Sequence, residues 1–177
     1  MKQLKGYAII GVLFVLIVGS LSHFLYEWSG SNPVVGLFTP VNESIWEHMK
    51  LLFFPMLLYS AAGVIRFRTD KPCIAYSFCF GNLIGTFLIP VLYYTYPSVL
   101  KRDLFVLDLL TFVISTAAAF YAAYKLTLSC KLRPYAGLIY VLAAVLFFCF
   151  MLFTYHPPIL KLFDDPSVHA LSRQWQW

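Results

Sequence analysis

The sequence predicts an all-α integral membrane protein, a bundle of about five transmembrane helices in a single domain covering residues 1–177. Hydrophobic residues make up 60% of the chain and charged residues only 12%, whereas soluble domains carry about 25% charged residues. The apolar residues also form runs of about 20, the length that crosses the hydrocarbon core of a bilayer. No Gly/Ser linker, charge block or fixed repeat divides the chain.

The first apolar run extends from Tyr7 to Leu25, which corresponds to about 28 Å of helix. Two lysines precede this run, and Ser20-Leu21-Ser22 has the small-residue spacing of a signal-peptide cleavage site. We expect a retained membrane span, because the run continues past these serines and is long enough to cross the bilayer.

Four further helices are predicted over Ser44–Ile65, Ile74–Tyr94, Leu104–Leu126 and Tyr135–Phe153. The first of them has three ionisable residues in its first two turns, which is also typical of a re-entrant or interfacial helix. A complete crossing is favoured because the basic segment Arg66 to Lys71 follows, and short basic loops usually stay in the cytoplasm. In the next helix, Gly81-x-x-x-Gly85 predicts a close helix crossing, and Asn82 is a candidate for an interhelical hydrogen bond.

The distribution of Lys and Arg predicts a cytoplasmic N-terminus and a multi-pass protein of a bacterial inner membrane. In this orientation eight Lys and Arg residues lie on the cytoplasmic side and five on the outer side. All four histidines and seven of the eight carboxylates then lie on the outer side. The positive-inside rule does not explain that accumulation, so we expect the functional site at the outer face, with the C-terminal tail folded over it.

Two features of composition exclude other classes of protein. The net charge of +5 comes from basic residues scattered at the ends of apolar runs, which indicates membrane topology and no nucleic-acid partner. The four cysteines contain no C-x-x-C pair and lie away from the histidines. They predict neither a disulfide framework nor a thiolate metal site.

A polar pair marks the end of the first helix. His23 and Glu27 are four residues apart, so one helix face can present both side chains to one metal ion. A polar helix end that meets lipid headgroups explains the pair at least as well.

The start of the second helix carries a denser polar group. Ser44-x-x-Glu47 matches a capping box, and Glu43, Glu47 and Lys50 share one helix face. Favourable interaction with the helix dipole and a Glu47–Lys50 pair would explain those three charges. It would not explain why Asn42 and His48 stand beside them.

Three further candidates follow on the same side of the membrane. Asp108 lies in the fourth helix and is a candidate for a buried functional carboxylate. His156 and Asp165 are the other two, both in the tail. Asp165, with Asp164 and His169, can complete a metal shell or clamp a ligand, although Asp-Asp-Pro is also an ordinary turn sequence and a solvated surface position explains His169 equally well.

These motifs resemble a family of small bacterial multi-pass membrane proteins of unknown function. The resemblance rests on His23-x-x-Tyr26-Glu27-Trp28, Pro40-Val41-Asn42-Glu43-Ser44-x-Trp46-Glu47-His48-x-Lys50, Pro157-Pro158 and Leu162-Phe163-x-Asp165-Pro166. It implies the membrane class and a bacterial origin, and it brings no established activity.

Three functional classes remain open. The first is a metal-assisted or acid/base hydrolase acting on a lipid or envelope substrate, with Zn²⁺ or Mn²⁺ as the candidate metal. Its candidate catalytic residues are Asn42, Glu43, Glu47, His48 and Lys50, and its candidate metal ligands are His23, Glu27, Glu47 and His48. The second is a non-enzymatic sensor or accessory subunit that docks a membrane protein partner. The third is an ion or small-solute transporter, which would need ionisable groups at mid-membrane.

Overall fold

A computed structural model describes residues 2–67, 69, 71–100 and 105–165. Its α-helices are α1 Lys2–Trp28, α2 Pro33–Gly36, α3 Ile45–Phe67, α4 Ile74–Leu100, α5 Phe105–Ser129 and α6 Ala136–Tyr155. The 3₁₀ turns Arg133–Tyr135 and Lys161–Phe163 flank α6. Five of these helices are long and apolar enough to cross a membrane, which confirms the predicted all-α bundle.

The α3 helix, for which the sequence also allowed a re-entrant or interfacial position, is continuous over 23 residues. This is about 34 Å of helix, the length of a complete span. Together with α4 it forms the centre of the bundle. In each of these two helices, 61% of the most apolar 18-residue stretch is buried, compared with 17% in α6. The polar residues at the start of α3 therefore enter the packed interior.

The buried face of α1 is made largely of small residues. Its members recur every three or four positions: Leu4, Ala8, Gly11, Val15, Gly19 and Ser22. The opposite face, which includes Ile9, Leu13 and Ile17, is exposed. Small residues let two helix backbones approach closely within a membrane, so α1 can lie directly against α3.

One close approach sets the position of α1 on α3. Pro55 has no backbone N–H, so the carbonyl oxygen of Leu51 has no helical hydrogen-bond partner at that position. Gly19 packs against this oxygen, and a Cβ atom at Gly19 would come within 2.5 Å of it. This crossing brings the end of α1 beside the first turns of α3.

The predicted crossing in α4 is confirmed. A Cβ atom at Gly81 would lie 2.5 Å from the carbonyl oxygen of Ala119 in α5, and one at Gly85 would lie 2.6 Å from the Ala119 Cβ. Asn82 Nδ2 donates to the carbonyl oxygen of Phe53 in α3 at 3.1 Å, which is the interhelical hydrogen bond expected there. These contacts hold α3, α4 and α5 together.

The chain after α6 folds back onto the end of the bundle that carries His23. The Phe163 ring contacts Trp46 of α3 with ring centroids 4.8 Å apart. The predicted fold-back is therefore confirmed through residue 165, and residues 166–177 lie outside the described part of the chain.

The expectation that the cysteines form no disulfide was wrong. Cys73 and Cys130 are bonded, with Cα atoms 5.5 Å apart, and they are 57 positions apart in the sequence. Cys73 lies just before α4 and Cys130 just after α5, at the opposite end of the bundle from His23. Antiparallel packing of neighbouring helices brings these two connections together, a relationship that cysteine spacing does not reveal.

Candidate metal site

The Gly19–Leu51 crossing determines which polar side chains meet. His23 lies one helical turn beyond Gly19, and His48 lies three residues before Leu51, so the two imidazoles face each other with ring centroids 5.3 Å apart. The sequence places these residues 25 positions apart. Their proximity is a result of helix packing.

The loop before α3 supplies the third member of the group. Asn42 Oδ1 accepts a hydrogen bond from the Ser44 N–H at 2.9 Å, which closes a tight turn around Glu43. Ser44 Oγ accepts from the Glu47 N–H at 3.4 Å, so half of the predicted capping box is present. Because α3 begins at Ile45, Glu43 lies outside the helix.

Glu43 contacts both histidines. Its Oε2 lies 3.5 Å from His23 Nε2 and 3.5 Å from His48 Nε2. The ligand atoms of the three residues all lie within 4.8 Å of one another. The side chains of His23, His48 and Glu43 are 29%, 34% and 52% exposed, so the group is open to solvent on one side.

The hydrogen bonding of His48 leaves a lone pair facing Glu43. His48 Nδ1 lies 2.9 Å from the Ser44 carbonyl oxygen, which can only accept, so Nδ1 carries the proton of a neutral ring. Nε2 is then an acceptor, and it faces the carboxylate of Glu43, which is also an acceptor. Either a proton on the imidazole or a cation between the two groups is needed to make this contact favourable.

The same neighbours favour the ionised form of Glu43. A hydrogen bond from His23 holds the pKa of Glu43 below its usual value of 4.5, and the charges of His23 and His48 act in the same direction. Partial burial opposes this effect and is outweighed.

A second polar cluster lies next to this group and is fully buried. Lys50 Nζ donates to Glu47 Oε2 at 2.7 Å, to Thr154 Oγ1 at 2.6 Å and to the Gly36 carbonyl oxygen at 3.0 Å. The Thr39 carbonyl oxygen lies 3.4 Å away. All three protons of the ammonium group are thus used within the protein, which confirms the predicted Glu47–Lys50 pair.

Glu47 holds the loop that carries Glu43. Its Oε2 accepts from the Val41 N–H at 3.0 Å, instead of reaching back to Ser44 as a complete capping box would. Its side chain is 2% exposed. Together with the Lys50 contacts, this bond fixes residues 36–41 against α3.

The sequence model of the family of unknown function DUF6512 matches residues 1–170. The chain belongs to this family.

The chain is also similar to proteins named Heme A synthase. The relative from Ehrlichia ruminantium strain Gardel is 30% identical over 106 residues, which is 54% of this chain and 30% of the relative. The relative from Ehrlichia canis strain Jake is 30% identical over 108 residues, 55% of this chain and 30% of the relative. The chain thus spans less than a third of the length of these curated relatives. No solved structure matches it. The relatives and the five long apolar helices point to a bacterial membrane protein.

In this DUF6512 member, four other candidates from the sequence are not members of the three-residue group. Glu27 is exposed in the last turn of α1, Asp108 is in the first turn of α5 and His156 is exposed just after α6. Asp165 ends the described part of the tail. Among the described residues, the single group with the spacing of a metal site is His23, Glu43 and His48.

The sequence pattern paired His23 with Glu27 because both lie on one helix face. The structure gives His23 a different carboxylate neighbour, Glu43, from a loop 20 positions away. The sequence contained one signal for this arrangement, an Asn two residues before Ser44. The turn that these two residues form ends the loop just before α3 and leaves the Glu43 side chain outside the helix.

Proposed function

We propose that the protein is an outer-face membrane enzyme that binds a divalent metal ion through His23, Glu43 and His48 and hydrolyses a lipid or envelope substrate. The observation that carries the proposal is the convergence of two imidazole nitrogens on one carboxylate oxygen, each 3.5 Å from it.

The donor set suits Zn²⁺. Ligand atoms in a tetrahedral zinc site with bonds of roughly 2.0–2.2 Å are about 3.3 Å apart, close to the two nitrogen–oxygen separations of 3.5 Å. Two imidazoles and one carboxylate are typical zinc ligands, and the Ser44 carbonyl orients His48 as outer-shell acceptors do in metal sites. Mn²⁺, the other candidate metal, prefers a ligand shell with more oxygen atoms than this group offers.

The open side of the group supports catalysis over a purely structural role. Catalytic zinc sites have three protein ligands and leave a position for water or substrate, whereas structural sites are closed by four. A zinc ion bound there would lower the pKa of its water to about 7 and so supply a nucleophile. Glu43 and both histidines would hold the ion, while Glu47 and Lys50 would position the Glu43 loop.

The surroundings of the site favour a substrate that lies at the membrane boundary. Phe24 and Trp28 are 48% and 67% exposed beside His23, and their rings stack with centroids 5.7 Å apart. Exposed aromatic rings at helix ends commonly sit at the level of lipid headgroups and esters. This placement fits an ester or phosphoester of a lipid or an envelope component. It requires the cytoplasmic N-terminus and inner-membrane location that the basic residues predict.

The first experiment measures metal in the purified full-length protein by elemental analysis, followed by zinc titration after chelation. We expect one zinc per chain, lost in His23→Ala, His48→Ala and Glu43→Gln. Glu27→Gln and His156→Ala are matched controls that remove an acid or a histidine outside the group, and both should retain the metal. A wild-type protein that takes up no metal after zinc resupply would overturn the proposal.

The second experiment measures hydrolysis of a panel of phospholipid and glycolipid esters by the metal-depleted and zinc-loaded protein. We expect activity that depends on resupplied zinc and disappears in His48→Ala. Zinc binding without hydrolysis of any member would favour the alternative of a sensor or accessory subunit with a membrane protein partner.

Transport receives less support from the described residues. Histidines and charged side chains in the described parts of the five spans lie within two turns of a helix end, and Asp108 lies in the first turn of α5. A transport pathway needs such groups near mid-membrane.

A haem-linked function is the second candidate, because the relatives are named Heme A synthase. The two imidazoles do not fit as axial ligands on opposite faces of one haem. Glu43 Oε2 lies 3.5 Å from both Nε2 atoms and fills the space that the macrocycle would need. A visible absorption spectrum of the purified protein, before and after addition of hemin, tests this candidate. A Soret band lost in both His23→Ala and His48→Ala would replace the zinc proposal with haem binding.

A further inference from the structure

The Cys73–Cys130 disulfide lies at the most basic end of the bundle. Seven Lys and Arg residues of the described chain are at this end: Lys2, Lys5, Arg66, Lys71, Lys125, Lys131 and Arg133. Short loops rich in Lys and Arg usually remain in the cytoplasm, so the basic residues place this end inside. Cytosolic thiol systems keep such pairs reduced, and cytosolic disulfides are usually transient.

We propose that Cys73 and Cys130 form a reversible redox site, reduced by a cytosolic dithiol and closed again by exchange with a low-molecular-weight disulfide, which leaves as two thiols. The inference rests on the proposed cytoplasmic N-terminus and is independent of the metal site at the other end of the bundle.

The two sulfurs differ in accessibility, which sets the order of exchange. Cys73 is 4% exposed, whereas Cys130 is half-buried in the connection after α5. An incoming thiolate therefore has better access to Cys130 than to Cys73.

Reduction proceeds in two balanced steps. A thiolate of the external dithiol attacks Cys130 Sγ and forms a mixed disulfide, while the bond to Cys73 breaks and its electron pair leaves on Cys73 Sγ, which takes up a proton. The second thiol of the reductant then attacks the reductant's other sulfur, which is bonded to Cys130 in the mixed disulfide. This step closes a disulfide within the reductant and releases Cys130 as a thiol. The reductant leaves as a disulfide after giving up two electrons and two protons.

Opening the bond releases the connection that leads into α6. Cys130 has a φ of 49°, a left-handed conformation that L side chains rarely adopt, so the reduced connection can relax to a more favourable one. The α6 helix is the least buried of the five spans and holds Thr154, which contacts Lys50 beside the metal site. The redox state of the Cys73–Cys130 pair thus acts on α6, the span with the smallest buried fraction.

The cellular test uses the full-length protein with Cys79→Ser and Cys149→Ser, which remove the free cysteines. Cells are acid-quenched, and their free thiols are trapped with a membrane-permeant maleimide mass tag. We expect two tags per chain in growing cells and none after treatment with diamide. A pair that stays oxidised in growing cells, or that diamide cannot oxidise, would overturn the proposal.

A second test asks which sulfur exchanges. In the same background, purified Cys73→Ser and Cys130→Ser proteins are incubated with glutathione disulfide, and the mixed disulfide is followed by mass. Cys130, left free in Cys73→Ser, should react about tenfold faster than Cys73 left free in Cys130→Ser, because access limits exchange. Equal rates, or faster reaction of Cys73, would contradict the assignment.

Zinc content measured on the same preparations separates this proposal from the proposed function. Metal-site variants that lose zinc binding should give the same thiol labelling and the same exchange rates as the protein with an intact metal site. Labelling of reduced Cys130 by an impermeant maleimide added to intact cells would place the disulfide outside and overturn the redox proposal and the orientation together.

Discussion

Gly19 of α1 lies against the carbonyl oxygen of Leu51 in α3, so closely that a Cβ atom at position 19 would come within 2.5 Å of that oxygen. The oxygen is part of a backbone and cannot rotate away as a flexible side chain can. Any larger residue at position 19 must therefore separate the two helices. This contact controls the distance between His23 and His48, which stand on the neighbouring turns.

Gly19→Ala should weaken zinc binding without removing any ligand. The methyl group forces α1 away from α3, so His23 moves away from Glu43 and His48. We expect zinc affinity to fall by about tenfold or more, the loss typical when the support of a metal ligand is removed. Zinc titration of the purified variant measures it. Gly137→Ala is the matched control, since a Cβ atom there would meet nothing within 4 Å. An unchanged affinity in Gly19→Ala would show that the crossing does not set the site.

Lys50→Met should destabilise the protein strongly. The substitution leaves the Glu47 carboxylate buried without its cation, and breaking a buried ion pair in this way costs about 3–5 kcal/mol. Thermal unfolding in detergent measures the loss. Adding Glu47→Gln should recover part of it, because the unpaired charge is then removed. Lys161→Met, at an exposed cation, should have little effect. Equal stability of the Lys50 and Lys161 variants would contradict a structural role for the buried pair.

Zinc affinity should fall as the pH is lowered into the acid range. An imidazole must give up the proton on its ligating nitrogen to bind a metal ion, so metal binding by two histidines depends on pH. Protons therefore compete with zinc for His23 and His48. Titrations at several pH values should show a decrease approaching a hundredfold per pH unit on the acid side, because two protons are displaced. A pH-independent affinity would exclude the histidines as ligands.

The metal-free protein should show a separate acid transition that depends on Glu43. The pKa of this carboxyl is lowered in the folded state, so its stabilising contribution is present above the unfolded value of 4.5 and is lost as the pH falls through the lowered value. The melting temperatures of wild type and Glu43→Gln should differ at pH 6 and converge once the pH falls below the lowered pKa of the Glu43 carboxyl. The difference should be small, because the side chain is 52% exposed. Parallel pH profiles would show that Glu43 is not stabilised by the histidines.

The sequence predicted the helices better than it predicted the site. Hydrophobic run length is a local property, so all five spans and the Gly81–Gly85 crossing could be read from the chain. The Glu47–Lys50 pair is also local, three residues apart on one helix. Glu43 was assigned to the same helix face, although α3 begins two residues later and leaves its side chain free to meet His23.

The remaining relationships join segments distant in the sequence. The disulfide requires that the α3–α4 and α5–α6 connections lie side by side, and the imidazole pair requires that α1 cross α3 at Gly19. Both depend on which helices are neighbours. Residue type and spacing in one chain do not contain that information.

The Thr154 hydroxyl contacts two other groups at once. Its Oγ1 accepts from Lys50 Nζ at 2.6 Å and donates to the Phe150 carbonyl oxygen at 2.6 Å. The α6 helix has otherwise few buried side chains, so apolar contacts alone would let it slide along the bundle axis. A shift of one residue would break the short contact with Thr154 and leave the ammonium group only the longer one, to the Thr39 carbonyl oxygen at 3.4 Å, in its place. The Thr154 hydroxyl, together with the Tyr155 hydroxyl that donates to the Pro33 carbonyl oxygen at 2.7 Å, therefore fixes the axial register of the least buried span.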